Sequence, residues 1–296
     1  MSATTVPPTS APPTSAQSKP AAGSRIAWAF TDTLVITRRN LMRFIRIPAL
    51  LVFSIVQPLM FVLLFRFVFG NAISGLPLNV SYVNYLLPGI FVQTAIFGST
   101  QTGIGLSEDL ASGIIDRFRS LPMARSAVLT GRTMSDLVRN IVVVVLMIAI
   151  GYLVGFSFQA GFLDAIGAVL LTILVGFTFS WISATIGLAI QNTESVQAAS
   201  FTWIFPLTFI SSVFVPVASM GPFLQAIARN NPVTIWANAV RVLTIGEPGL
   251  FLINHPQNEP IGHQTLASLV LASLAWIIGL LIVFVPISVR KYRRLS

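Results

Sequence analysis

The chain has 296 residues, of which 54% are hydrophobic and only 9% charged, against about 25% charged in a typical soluble domain. Too few charges remain to cover a soluble globule of this size, so the composition is that of an integral membrane protein. A net charge of +9 does not indicate nucleic acid, because the basic residues border the apolar runs, where they set membrane topology. There is no cysteine, which excludes a disulfide framework, a thiol nucleophile and cysteine metal ligation.

In chain order, residues 1–24 form a tail of Pro, Ser, Thr and Ala carrying one charge, Lys19. Such a tail cannot bury enough apolar surface to offset its ordering entropy and is expected to be disordered. Over Arg25–Ile47, Phe30, Leu34, Leu41 and Ile45 recur at near-helical spacing while Arg39, Arg43 and Arg46 line another face. This pattern predicts a helix lying in the membrane surface with its arginines toward headgroups; the alternative is a cytoplasmic extension of the first span.

Six apolar runs follow, each near the roughly 20 residues that cross hydrocarbon as a helix. They are approximately 48–69, 87–106, 138–158, 165–190, 198–217 and 266–289. Pro58 and Pro206 fall inside two of them and predict kinks or local unwinding. Lys19, Arg25, Arg38, Arg39, Arg43 and Arg46 precede the first span. Arg117, Arg119, Arg125, Arg132 and Arg139 lie between the second and third, and Arg290, Lys291, Arg293 and Arg294 follow the last. With Arg66 set aside as a side chain reaching the outer interface, only Arg229 and Arg241 stand on the other side. Fifteen basic residues against two place both termini in the cytoplasm.

Glu108–Asn140 is the long charged island between two apolar runs. Within it, Ser112–Ser120 predicts a short helix with Ile114, Ile115, Phe118 and Leu121 on one side and Asp116, Arg117 and Arg119 on the other, stopped by Pro122. Either face can meet a partner while the other packs back on the span ends. In the outer loop, Phe223–Arg229 and Thr234–Thr244 read as short helices broken at Asn230-Asn231-Pro232. Both are too short to span, and they either re-enter the outer leaflet or rest on it.

No phosphate-cradling Gly-x-x-x-x-Gly-Lys-Ser/Thr occurs, so ATP hydrolysis by that route is absent from this chain. None of the six apolar runs carries Asp, Glu, Lys or His, whereas an ion-coupled transporter usually holds such a group in the membrane. His255, Glu259 and His263 lie close in sequence, but Pro256 and Pro260 interrupt them; they read as a solvated loop rather than a metal site. Neither His lies in a span, so no Ser–His nucleophile is formed there, and no catalytic residue is expected. Polar side chains inside spans, among them Gln57, Gln93, Thr100 and Ser212, serve helix packing. Alternatively, together with Phe97, Phe205 and Phe209, they line a pathway for an amphipathic substrate.

The basic segment before the first span, the island GIIDRFRSLPMARSAVLTGR and the outer-loop stretch NNPVTIWANAVRVL are similar to those of ABC-2 type transporter permeases. The resemblance runs from Arg25 to the C-terminus and is nearest the daunorubicin-resistance type. It implies an all-α integral membrane fold with six transmembrane helices, and an exporter subunit in the bacterial plasma membrane. Two permeases, as a homodimer or with a sister permease, would dock two separately encoded ATPase subunits, and ATP and Mg would sit on those partners. Ile114–Leu121 would be the coupling helix, Arg25–Ile47 the interfacial connecting helix, and Phe223–Thr244 re-entrant half-helices closing the outer end with Asn231, Pro232, Trp236 and Arg241. The cargo would be lipophilic or amphipathic, an antibiotic or a cell-envelope lipid. The alternative is a stand-alone ion-coupled transporter. The stretch Gly246–His263 matches no motif of the family.

Overall fold

A computed structural model describes residues 22–46, 48–69, 81–114, 127–254 and 264–295. The tail at residues 1–21 and the histidines of the outer loop lie outside the described residues. Those residues form ten helices of eight residues or more and no strand. They are α1 (Ala22–Arg46), α2 (Pro48–Leu64, continued by a π turn at Phe65–Phe69), α3 (Tyr82–Ala111), α4 (Ala127–Val154) and α5 (Phe162–Ala189). There follow α6 (Thr193–Phe209), α7 (Pro222–Asn230), α8 (Pro232–Ile245), α9 (Glu247–Asn254) and α10 (Leu266–Arg294). The segments Leu129–Val154, Phe162–Ala189 and Leu266–Arg294 are long and apolar enough to cross a membrane.

Helix α3 is the axis of the fold. It has 30 residues, about 45 Å at 1.5 Å per residue, and is buried along nearly its whole length against α4, α5, α6 and α8. Close approach requires small residues at the crossings. A Cβ on Gly187 of α5 would collide with the Gly103 carbonyl oxygen of α3, and one on Gly89 would stand 2.5 Å from the Val213 carbonyl oxygen. Trp236 of α8 fills the centre with no exposure. Its ring meets Phe179 edge-on at 5.7 Å, and its Nε1 donates to the Ser273 carbonyl of α10 at 3.3 Å.

Helices α4 and α6 depart from the sequence expectation. The third apolar run begins at 138, but α4 already begins at Ala127, so the second half of the charged island is helix. The fifth run extends to 217, yet α6 stops at Phe209 and the chain turns through 210–216. The reason is local. Asn231 Nδ2 donates to the carbonyls of Leu207 at 2.7 Å and Ile210 at 2.6 Å, capping the carbonyls that a longer helix would have used itself. Helix α1 meets the protein on a face other than that of Leu34, one residue of its expected apolar stripe. Leu34 is 52% exposed, while Ile36, Thr37 and Asn40 are buried. Thr37 Oγ1 donates to the Gly131 carbonyl at 3.2 Å and Asn40 Nδ2 to Ser135 Oγ at 3.4 Å, fixing α1 on α4.

Candidate functional site

Asn231, Pro232, Trp236 and Arg241, expected to close the outer end, stand at the N-cap of α8 or within it. Asn231 caps α8 by accepting from Val233 N at 2.9 Å while holding the end of α6. Pro232 occupies the first position of α8, where its missing N–H costs nothing. Arg241 is 1% exposed and lies within helix α8. Its Nε donates to the Tyr85 carbonyl at 2.9 Å, its Nη2 to the Ser212 carbonyl at 2.9 Å and its Nη1 to Asn238 Oδ1 at 2.6 Å. Among the described residues no carboxylate pairs with it. Carbonyl and amide dipoles and the Tyr85 ring carry the compensation. Tyr82 and Tyr85 hydroxyls donate to the Phe214 and Ser212 carbonyls at 2.9 and 3.1 Å. Ser212 is therefore part of this fastening, its Oγ donating to Asn238 Oδ1 at 2.8 Å.

A second site lies between α2, α3, α4 and α6: a cavity of about 190 Å³. Three of the pathway candidates, Gln57, Phe97 and Thr100, line it, together with Thr94, Arg139 and Asn140. Two more candidates stand beside it. Phe201, Phe205 and Phe209 follow one another on one face of α6. Phe97 meets Phe205 edge-on at 5.2 Å, and the ladder continues through Phe209 to Phe214 at 5.0 Å. Phe205 and Phe209 are 38% and 42% exposed. Gln93 is buried in α3 outside the lining.

Sequence reading missed the ionic group on which the cavity rests. Asp136 stands between Arg132 (3.9 Å) and Arg139 (3.5 Å) and accepts from Thr102 Oγ1. Asp109 at the foot of α3 meets Arg132 at 3.8 Å and Arg39 of α1 at 3.6 Å. Arg139 Nη2 also donates to the Gly98 carbonyl. Glycine makes room for these side chains: a Cβ on Gly105 would occupy the place of the Arg132 guanidinium, and one on Gly98 would lie 2.5 Å from Asn140 Oδ1. Arg132, Asp136, Arg139 and Asn140 follow an i, i+4, i+7, i+8 pattern, which marks a single helix face and was legible as such.

The expected coupling residues Ile115, Asp116, Arg117, Phe118, Arg119, Leu121 and Pro122 lie outside the described residues. Ile114, just after the end of α3, is half-buried.

An all-helical membrane protein built around a polar cavity and a reversed helix pair, α7–α8, is the class that the fold defines. Residues 31–245 match the ABC-2 type transporter family, and the chain belongs to that family. It is 34% identical over 267 residues to the daunorubicin resistance ABC transporter permease protein DrrB1 of Streptomyces coeruleorubidus, covering 90% of this chain and 88% of the relative. It is 26% identical over 266 residues to the probable doxorubicin resistance ABC transporter permease protein DrrC of Mycobacterium tuberculosis, with coverages of 90% and 89%. A putative transport permease, ycf38, of Pyropia yezoensis is 28% identical over 201 residues, 67% of this chain and 68% of the relative.

Proposed function

We propose that this chain is the membrane subunit of an ATP-driven exporter that moves a lipophilic or amphipathic compound, a drug-like antibiotic or an envelope lipid, out of the cell. The observation that carries this reading is a cavity lined by polar side chains such as Gln57, Thr94, Thr100 and Asn140 beside an exposed aromatic ladder, which gives an amphipathic compound both kinds of contact. The chain spans the plasma membrane six times with both termini cytoplasmic. Removing buried Arg132 and Arg139 from the fifteen inner basic residues, and Arg241 from the two outer ones, leaves thirteen against one. Helix α1 lies in the membrane surface, which accounts for its uncovered Leu34 and Val35. Helices α7 and α8 are re-entrant half-helices at the outer end.

ATP is bound and hydrolysed on two copies of a separate ATPase subunit, with Mg. Each ATPase docks on the segment around Ile114–Pro122, and two permeases pair to form the pathway. Alternating access follows from rigid movement of α3 and α4, which lead into and out of that segment and are clamped together through Asp109, Arg132 and Asp136. Ion coupling is less well supported, since the buried carboxylates Asp109 and Asp136 are already held by arginines.

The test is reconstitution with the ATPase encoded beside it, measuring ATP-dependent efflux and ATP turnover for wild type and for Phe118→Ala with Arg119→Ala. Uncoupled, substrate-insensitive ATP turnover is expected from the variant. Variant turnover as tightly bound and as strongly substrate-stimulated as in wild type overturns the docking role. Transport by the lone permease on a proton gradient overturns the ATP-driven reading.

A further inference from the structure

Helix α10 packs on the protein with one face and leaves the other open. Its buried residues Ser273, Ile277, Ser288 and Tyr292 share the side that meets α5 and α8. Two hydrogen bonds fix that side: Trp236 Nε1 donates to the Ser273 carbonyl, and Ser288 Oγ donates to the Trp181 carbonyl at 3.1 Å. The opposite side carries Trp276, Gly279, Val283, Pro286, Arg290 and Arg294, all of them exposed. They follow one another at steps of three or four residues, which sets them on a single stripe of the helix.

The stripe has an apolar half and a charged half. Trp276, Gly279 and Val283 line an open groove of about 420 Å³ whose side chains are all apolar. Its floor is low because nothing lies within 4 Å of where a Cβ on Gly279 would stand. At the other end, among the described residues no carboxylate pairs with Arg290 or Arg294. The two halves are spaced by the thickness of a leaflet. Gly279 and Arg290 are eleven residues apart in one helix, about 16 Å along its axis, against about 15 Å for half of a roughly 30 Å hydrocarbon core. With the arginines at the headgroups, the groove lies near mid-bilayer, where acyl chains end.

Charge selects the occupant. A second copy of this chain packed here about a two-fold axis would set Arg290 and Arg294 against their own counterparts, and like charges repel. A zwitterionic lipid brings its own cation beside the arginines. An anionic phospholipid brings a net negative charge to them and a chain to the groove, and the cytoplasmic leaflet is where such lipids meet basic segments at helix ends.

We infer that this face of α10 is a binding site for an anionic phospholipid of the cytoplasmic leaflet. Arg290 and Arg294 hold its phosphate, and one acyl chain runs past Pro286 and Val283 into the groove at Gly279. The site takes its leaflet from the cytoplasmic placement of the C-terminus, and it stands whether or not the chain exports an amphipathic compound.

The experiment is fluorescence quenching of the permease in phosphatidylcholine nanodiscs, titrated with phosphatidylglycerol or phosphatidylcholine carrying brominated acyl chains. Subtracting the signal of the same protein with Trp276→Phe isolates Trp276. Brominated phosphatidylglycerol is expected to half-quench Trp276 at a mole fraction about tenfold lower than brominated phosphatidylcholine, the scale set by one or two arginines at a membrane surface. Arg290→Gln with Arg294→Gln is expected to bring the two curves together. Gly279→Leu fills the groove and leaves the arginines in place, and is expected to cut the preference to about twofold. Phosphatidylcholine quenching retained in a variant shows that it is folded with this face on lipid. Equal quenching by both lipids in the wild type means bulk lipid contact only and overturns the site, and this comparison needs no variant to fold. A full preference surviving in the double arginine variant or in Gly279→Leu also overturns it. Quenching by neither lipid means that protein covers the face, which overturns the site in favour of a second copy.

Discussion

The guanidinium of Arg241 lies 3.8 Å over the ring of Tyr85 and donates from Nε to the carbonyl of the same residue. One side chain thus ties α8 to α3 by face and by backbone, while Nη2 reaches the turn after α6. Lysine offers a point charge and cannot address three acceptors in one plane. Arg241→Lys is therefore expected to destabilise the purified permease by about 1.5–3 kcal/mol, the scale of a hydrogen bond to a charged group. Arg241→Ala, which removes the guanidinium bonds to the Tyr85 and Ser212 carbonyls and to Asn238, is expected to be worse. Thermal unfolding followed by monodispersity in detergent reads both, and a lysine variant as stable as wild type would show that the planar fork is dispensable.

Asn231 separates capping from fastening. Aspartate in its place still accepts from Val233 N and caps α8 as well as asparagine does. It loses the two Nδ2 bonds and sets a carboxylate against the Leu207 and Ile210 carbonyls. Asn231→Asp is accordingly expected to lower the melting temperature at least as far as Asn231→Ala. If the aspartate variant matched wild type instead, the cap alone would account for this residue.

Breaking the ionic group at one member leaves an uncompensated buried charge. Asp136→Asn is expected to cost about 3–5 kcal/mol. The double variant Asp136→Asn with Arg139→Gln should lose less than the sum of the two single losses, because removing both members removes the imbalance. A double-mutant cycle on thermal stability measures this; strict additivity would mean that the two side chains do not act as a pair.

Gly187 and Gly279 make a matched comparison. An added methyl at 187 meets backbone of α3, which cannot yield, whereas at 279 nothing lies within 4 Å. Gly187→Ala is expected to cost about 1–3 kcal/mol through overpacking, and Gly279→Ala to be neutral or stabilising, as alanine is in a helix interior. Yields of folded protein from parallel purifications check the contrast.

Much of this architecture could be read from the chain because hydropathy reports what lipid and core demand of a helix. The long helices and the two short helices broken at Asn230-Asn231-Pro232 followed from local pattern, whereas Asn231, Trp236 and Arg241 were singled out through the resemblance. Residues whose surroundings are assembled from distant segments did not follow from local pattern. Arg132 and Arg139 counted as loop charges because their compensation comes partly from Asp109 and from the Gln101 and Gly98 carbonyls, all on another helix. The early end of α6 was hidden likewise, since the cap on its carbonyls belongs to a residue more than twenty positions later.

The seam between α1 and α4 has a consequence for how the protein is made. Thr37 and Asn40 find their partners at Gly131 and Ser135, which leave the ribosome only after two further apolar segments have entered the bilayer. During that interval the first helix lacks these partners, so its docking onto the fourth helix can only follow entry of the intervening segments.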